Sequence, residues 1–128
     1  MIYLDSSVAL AQILAEGRLP PGSLWQEALI ASRLLEYEVW TVINTRGLHR
    51  SHTDEARALI GRVALIELAQ PVLARALEPF PTPVRTLDAL HLASIEFLRE
   101  RRQSIELATY DDRLAAAAHA LRIPLREL

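Results

Sequence analysis

The feature that most constrains this chain is an alternation. Short β-prone runs of three to five residues, at 2–4, about 29–31, 64–68, 105–108 and 123–125, are separated by longer segments whose apolar residues recur with helical spacing. Short strands alternating with helices imply βαβ units and a parallel sheet covered on both faces. The expected helices span 8–16, 34–45, 53 to about 61, 71–77, 87–101 and 111–121, with a short one at 25–29. Loops are expected at 17–22, which holds Pro20 and Pro21, and at 78–83, which holds Pro79, Pro81 and Pro83. Pro124 suits the last run only at a sheet edge, because it has no N–H for a second neighbour. With 128 residues and neither an internal repeat nor a linker, the chain is expected to form one domain over 1–128.

Local signals mark the element ends. Ser6 or Ser7 is placed to cap the first helix and Ser32 the helix at 34–45, which Gly47 ends. Thr53, Asp54 and Glu55 have the acidic composition of a helix start, and Pro71 suits a first helical turn.

Composition narrows the function. Hydrophobic residues at 51% supply a core and charged residues at 23% keep it in water, so global disorder is not expected. The net charge of −2 advertises no basic nucleic-acid surface, although a local patch remains compatible with it. Cysteine is absent, which removes disulfides, thiolate nucleophiles and cysteine-ligated metals and fits a reducing cytosol. All 14 basic residues are arginine, which removes a Walker A lysine and Schiff-base chemistry. The opening segment carries Asp5 and no basic start, and its apolar run is far short of the roughly 20 residues of a bilayer span. Neither a signal peptide nor a membrane anchor is therefore expected.

Four of the five aspartates fall at three places: Asp5 after the first strand, Asp88 at the start of the long helix, and Asp111 and Asp112 after the run at 105–108. Asp54 has an ordinary helix-start explanation. Sites in open α/β sheets form beyond the carboxyl ends of strands, where Asp5 and Asp111 should both lie. Each acid taken singly is explained as well by helix capping, worth about 0.3–2 kcal/mol. Capping does not explain their convergence on one edge. Two carboxylates about 4 Å apart repel by roughly 4 kcal/mol at an effective dielectric near 20, and a hard divalent cation removes that cost. Oxygen donors without cysteine or an HxxxH pair favour Mg²⁺ or Mn²⁺ over zinc. The helix at 34–45 offers a further acid in Glu36 or Glu38. On a helical wheel Glu38 lies ~60° from the centre of the face formed by Leu34, Leu35, Val39, Val42 and Ile43, and Glu36 ~100° away on the other flank. That margin favours Glu38.

Three stretches, IYLDSS at the start, LDALHLAS at 87–94 and TYDDRL at 109–114, together with the segment from Ser32 to Glu38, resemble the PIN-domain family and most closely its small VapC-type toxin ribonucleases. In order and spacing they cover essentially the whole chain. The resemblance implies a PIN-like three-layer α/β/α sandwich around a short parallel sheet of about five strands. It also implies RNA hydrolysis with Mg²⁺ or Mn²⁺ at the acids. Carried over by position, Asp5, Asp88 and Asp111 are the metal-holding acids. The second acid, six residues after Ser32, is Glu38, with Glu36 as the alternative, and Asp112 is a supernumerary neighbour. Glu38 or Asp111 is suited to orient the attacking water, while the Ser6 and Thr109 hydroxyls suit an outer role, capping being the first expectation for Ser6. The implied partners are an RNA substrate, a cognate VapB-like antitoxin and a second copy in a homodimer or toxin–antitoxin hetero-oligomer, with no membrane.

The histidines carry less. His49 and His52 are expected in a loop beside Arg46 and Arg50, a solvated segment or a phosphate patch; His91, one turn from Asp88, is expected to be structural. Two rival folds with acids at strand ends fail on single residues. A phosphoacceptor receiver domain needs a lysine, and a haloacid-dehalogenase-type phosphatase needs Asp-x-Asp where this chain has Asp5-Ser6-Ser7. The remaining alternative is a non-catalytic α/β interaction module whose acids only cap helices.

Overall fold

The computed structural model describes residues 1–15 and 17–128. Four strands, β1 (Ile2–Leu4), β2 (Leu29–Ser32), β3 (Val63–Ile66) and β4 (Glu106–Ala108), pair in parallel in the order β3-β2-β1-β4. The helices are α1 (Ser6–Leu14), α2 (Leu34–Thr45), α3 (His49–Ile60), α4 (Gln70–Ala76), α5 (Thr86–Glu100) and α6 (Asp112–Ala120). Helices α1, α2 and α3 pack on one another, whereas α4 packs along α5, which lies against β2. This is the three-layer α/β/α sandwich that the family resemblance implies, and its sheet is parallel as the strand–helix alternation predicts.

The order of strands positions the site. From β1 the chain steps outward to β2 and β3, then returns through α4 and α5 to pair β4 with the opposite edge of β1. The connections therefore diverge at β1, and a crevice opens beyond the carboxyl ends of β1 and β4. Register places Leu4 beside Ala108, so Asp5 and Thr109 leave the sheet side by side. The core beneath is continuous: Tyr3, Leu4, Val8, Leu35, Leu92, Ile95 and Leu107 are all buried in one cluster.

Several boundaries differ from the sequence expectation. The first helix starts at Ser6, because Asp5 takes the cap in an extended conformation and accepts the Ser7 N–H. Helix α3 begins at His49 rather than Thr53. Gly47, at φ +67°, turns the chain out of α2, and His52 N–H already bonds to Leu48 C=O. Thr53 is then an interior residue whose hydroxyl bonds back to the His49 carbonyl, and His49 and His52 sit on a helix, not in a loop. The short helix is a 3₁₀ turn over Gly22–Gln26, ahead of its expected place at 25–29. The fifth strand is reduced to a single parallel bridge between Leu107 and Leu125, with Leu107 N–H to Pro124 C=O at 2.8 Å and Arg126 N–H to Leu107 C=O at 2.8 Å. Among the described residues, no helix is long and apolar enough to cross a membrane.

Candidate active site

Two turns, β1–α1 and β4–α6, form the floor. Asp5 is only 5% exposed. Its backbone N–H bonds to Ala108 C=O at 3.0 Å. Its Oδ2 accepts the Ser7 hydroxyl at 2.6 Å, the Thr109 hydroxyl at 2.8 Å and the Ser7 N–H at 3.4 Å. Each hydroxyl also accepts a backbone N–H from the β4–α6 turn, Ser7 from Tyr110 and Thr109 from Asp111, both at 2.9 Å. The two turns are thus stitched together through one carboxylate oxygen. Asp111, exposed, caps α6: its Oδ1 accepts the N–H groups of Arg113 at 2.9 Å and Leu114 at 3.2 Å. Capping and site placement coincide in both aspartates, because the helix N-termini themselves lie at the carboxyl ends of the strands and a carboxylate has lone pairs to spare.

The other acids arrive on helices. Glu38, on α2, and Asp88, in the first turn of α5, line one open cleft of about 720 Å³ with Asp111, Asp112, Arg85 and Arg113. Burial first, then the nearby carboxylates of Asp111 and Asp5, raise the Asp88 carboxyl above its ordinary pKa, with His91 and Arg113 partly opposing. Four sequence-selected acids therefore share one region: Glu38, Asp88 and Asp111 face the cleft, and Asp5 is near enough to repel Asp88. Asp112 also lines the cleft. Glu36 does not; it pairs with Arg33 at 3.4 Å on another face of α2, beside Tyr37 and Trp40. Asp54 is exposed on α3, and the ring of His49 lies against Trp40.

Ser6 lies inside α1, and its hydroxyl bonds to Glu38 Oε2 at 3.3 Å instead of capping the helix. Glu38 Oε1 meets His91 Nε2 at 2.5 Å, and His91 Nδ1 meets the Tyr3 hydroxyl at 2.8 Å. Burial works against a charged His91 ring, but the Tyr3 oxygen and the Glu38 carboxylate outweigh it and raise the imidazole to about 10. The sequence reading missed Tyr3, Arg85 and Arg113. A tyrosine inside an apolar strand is a signal in itself, since a buried hydroxyl needs a partner.

The chemistry of the donor set decides what the cleft can hold. It offers carboxylate oxygens and no sulfur, and His91 is covered by Tyr3 and Glu38. Among the described residues, no three Asp, Glu or His side chains are gathered into a ready-made metal cage. Spread carboxylates in an open cleft suit a cation that keeps several of its waters, as Mg²⁺ does, so the residues fit a hard divalent ion.

Comparison with known proteins gives concordant matches. The PIN domain family model matches residues 2–120. Ribonuclease VapC47 of Mycobacterium tuberculosis is 29% identical over 121 residues, covering 89% of this chain and 87% of that protein. Among solved structures, a toxin–antitoxin complex from Klebsiella pneumoniae matches with a TM-score of 0.64 at 17% identity, covering 94% of both chains. VapC20 of Mycobacterium tuberculosis, described as a toxin that cleaves the sarcin–ricin loop, matches with a TM-score of 0.65 at 21% identity, covering 91% of this chain and 95% of that one.

Proposed function

The chain belongs to the PIN-domain family, and on that premise we propose that it is a Mg²⁺- or Mn²⁺-dependent endoribonuclease, the toxin of a VapBC-type pair acting in the cytoplasm as a single domain. The observation that carries this reading is the convergence of Glu38, Asp88 and Asp111 on one cleft beside Asp5. Asp5, Asp88 and Asp111 would hold the cation, which supplies Lewis-acid polarisation of the phosphate and a more acidic water when bound. Glu38, which lines the cleft, is suited to take the proton from the attacking water. Arg85 and Arg113 on the cleft wall are suited to hold the anionic RNA backbone through bidentate hydrogen bonds. Three donors converge on Asp5 Oδ2 and fix the orientation of its carboxylate.

The alternative, an interaction module whose acids only cap helices, draws on the caps made by Asp5 and Asp111. Thermal melts with and without millimolar Mn²⁺, paired with an RNA cleavage assay, separate the two. Selective binding of the ion to the folded state is expected to raise Tm by about 3–6 °C at roughly tenfold saturation. An unchanged melt and no metal-dependent cleavage would leave only the module. The antitoxin partner rests on the likeness to VapC toxins and on the attraction of clustered carboxylates for a partner's arginine. Expression of the chain alone should arrest growth, and a small protein encoded beside it should relieve the arrest and co-purify.

A further inference from the structure

His91 is a buried titratable group that the proposed chemistry does not use. It is 1% exposed on α5, among buried apolar residues such as Leu92, Ala93 and Ile95. A residue there only to fill space would be apolar like them. Instead both ring nitrogens are engaged, and one of them holds an acid at the mouth of the cleft.

We propose that His91 is a positioning residue for Glu38: the ring, backed by Tyr3, fixes the Glu38 carboxylate in the orientation that receives the proton of the attacking water. This rests on the ribonuclease reading above. An ionised carboxylate only accepts, so His91 Nε2 must donate, and the other nitrogen faces the Tyr3 hydroxyl. The Tyr3 oxygen in turn accepts the Ser32 N–H at 3.1 Å. Glu38 is therefore tied, through two buried side chains, to the backbone of β2. Its second oxygen is held by Ser6 from α1. Without this tie Glu38 is a flexible side chain on a helix surface, free to swing into solvent. The tie removes rotamers that point away from where the water must be met.

The test is a double-mutant cycle on RNA cleavage with saturating Mn²⁺, comparing wild type, His91→Gln, Glu38→Gln, the double variant and the milder Tyr3→Phe. A role through Glu38 predicts that His91→Gln lowers kcat by about 10–100-fold with KM unchanged, and that Tyr3→Phe lowers it in the same direction but less. The double variant should be no slower than Glu38→Gln alone. A second readout needs no activity: the His91 Nε2–H resonance in metal-free protein should be far downfield and should move or vanish in Glu38→Gln. An active wild type with His91→Gln and Tyr3→Phe at its kcat, multiplicative losses in the double variant, or a resonance indifferent to Glu38→Gln would each overturn the proposal alone. A wild type that cleaves no RNA would overturn the ribonuclease reading and the proposal with it.

Discussion

The candidate site has two halves built on different principles. The strand-tip half, Asp5 with Ser7, Thr109 and Asp111, is made from turns: its donors are backbone N–H groups and short hydroxyls at the starts of α1 and α6. The helix half, Glu38, Asp88 and His91, is made from side chains that reach in from α2 and α5. In the first half the carboxylates are held in place by hydrogen bonds from the turns themselves. In the second, Asp88 accepts no hydrogen bond among the described residues, and burial and its acidic neighbours push its proton affinity up. A cation would therefore act mainly on the helix half. Asp5 is already oriented by its hydroxyl donors, whereas Asp88 carries a burial cost and a repulsion that a positive charge relieves.

The largest effect should come from setting the halves against each other. Asp5→Asn and Asp88→Asn are each expected to reduce cleavage by about 10³-fold, the upper end of what removing one preorganised group costs. Their metal-free stabilities should move in opposite directions. Asp5→Asn keeps a capping oxygen but loses charge-assisted bonds and should be less stable, while Asp88→Asn should be more stable. Melting both without metal checks this, and a shift of the same sign in both would erase the contrast.

Within the helix half, Glu38→Gln should lower the cleavage rate by about 10²–10⁴-fold and Glu36→Gln should leave it near wild type, as single-turnover rates would measure. The reverse ranking would move the site to the Arg33 face of α2. Within the strand-tip half, Thr109→Val removes one donor from Asp5 and leaves the Asp111 N–H without its acceptor, at a cost of about 1–3 kcal/mol in chemical denaturation.

The smallest effect is a pH dependence of the same sign in the two helix-half groups: both pKa values are raised by folding, so both contributions to stability fall as pH rises, in different windows. The folded pKa of His91, about 10, lies above its ordinary 6.5. The stabilisation from the Glu38–His91 pair is thus complete below 6.5 and is lost as pH rises through about 10. The gap in Tm between wild type and Glu38→Gln should close across that window. The Asp88 carboxyl is also raised, from 3.8, but there the charged form is the penalised one. Its cost is present above the folded pKa and fades as pH falls through it, so the advantage of Asp88→Asn should shrink on acidification.

What the sequence made legible follows from locality. Strands and the major helices could be read because apolar periodicity is written in neighbouring residues, and Asp5, Asp88 and Asp111 could be found because they sit at element ends. The start of α3 could not be read: its N-cap is Leu48, with no side-chain bond to advertise it, while Thr53, Asp54 and Glu55 mimic a start that lies one turn further on. Asp5, Ser6 and Ser7 offered three caps in succession, and only the extended backbone at Asp5, φ −81° and ψ 150°, decides among them. The choice of Glu38 over Glu36 was legible in direction because the two point ~160° apart on a helix. Its partner was not. Tyr3 and His91 are 88 residues apart, and Glu38 and His91 are 53 apart, so nothing in the spacing around either announces the contact.

The chain of bonds from Ser32 through Tyr3 and His91 to Glu38 also bears on how such a protein can change over generations. Replacing Tyr3, His91 or Glu38 with an apolar residue leaves a neighbour's polar atom enclosed and unpaired, which costs more than the hydrogen bond ever contributed. An apolar trio of similar volume in the same place would be tolerated, yet every single-step route to it crosses a less stable intermediate. Descendants of this chain should therefore keep Tyr3, His91 and Glu38 as an inherited set or exchange them nearly together. Drift at one of the three positions predicts compensating drift at the other two.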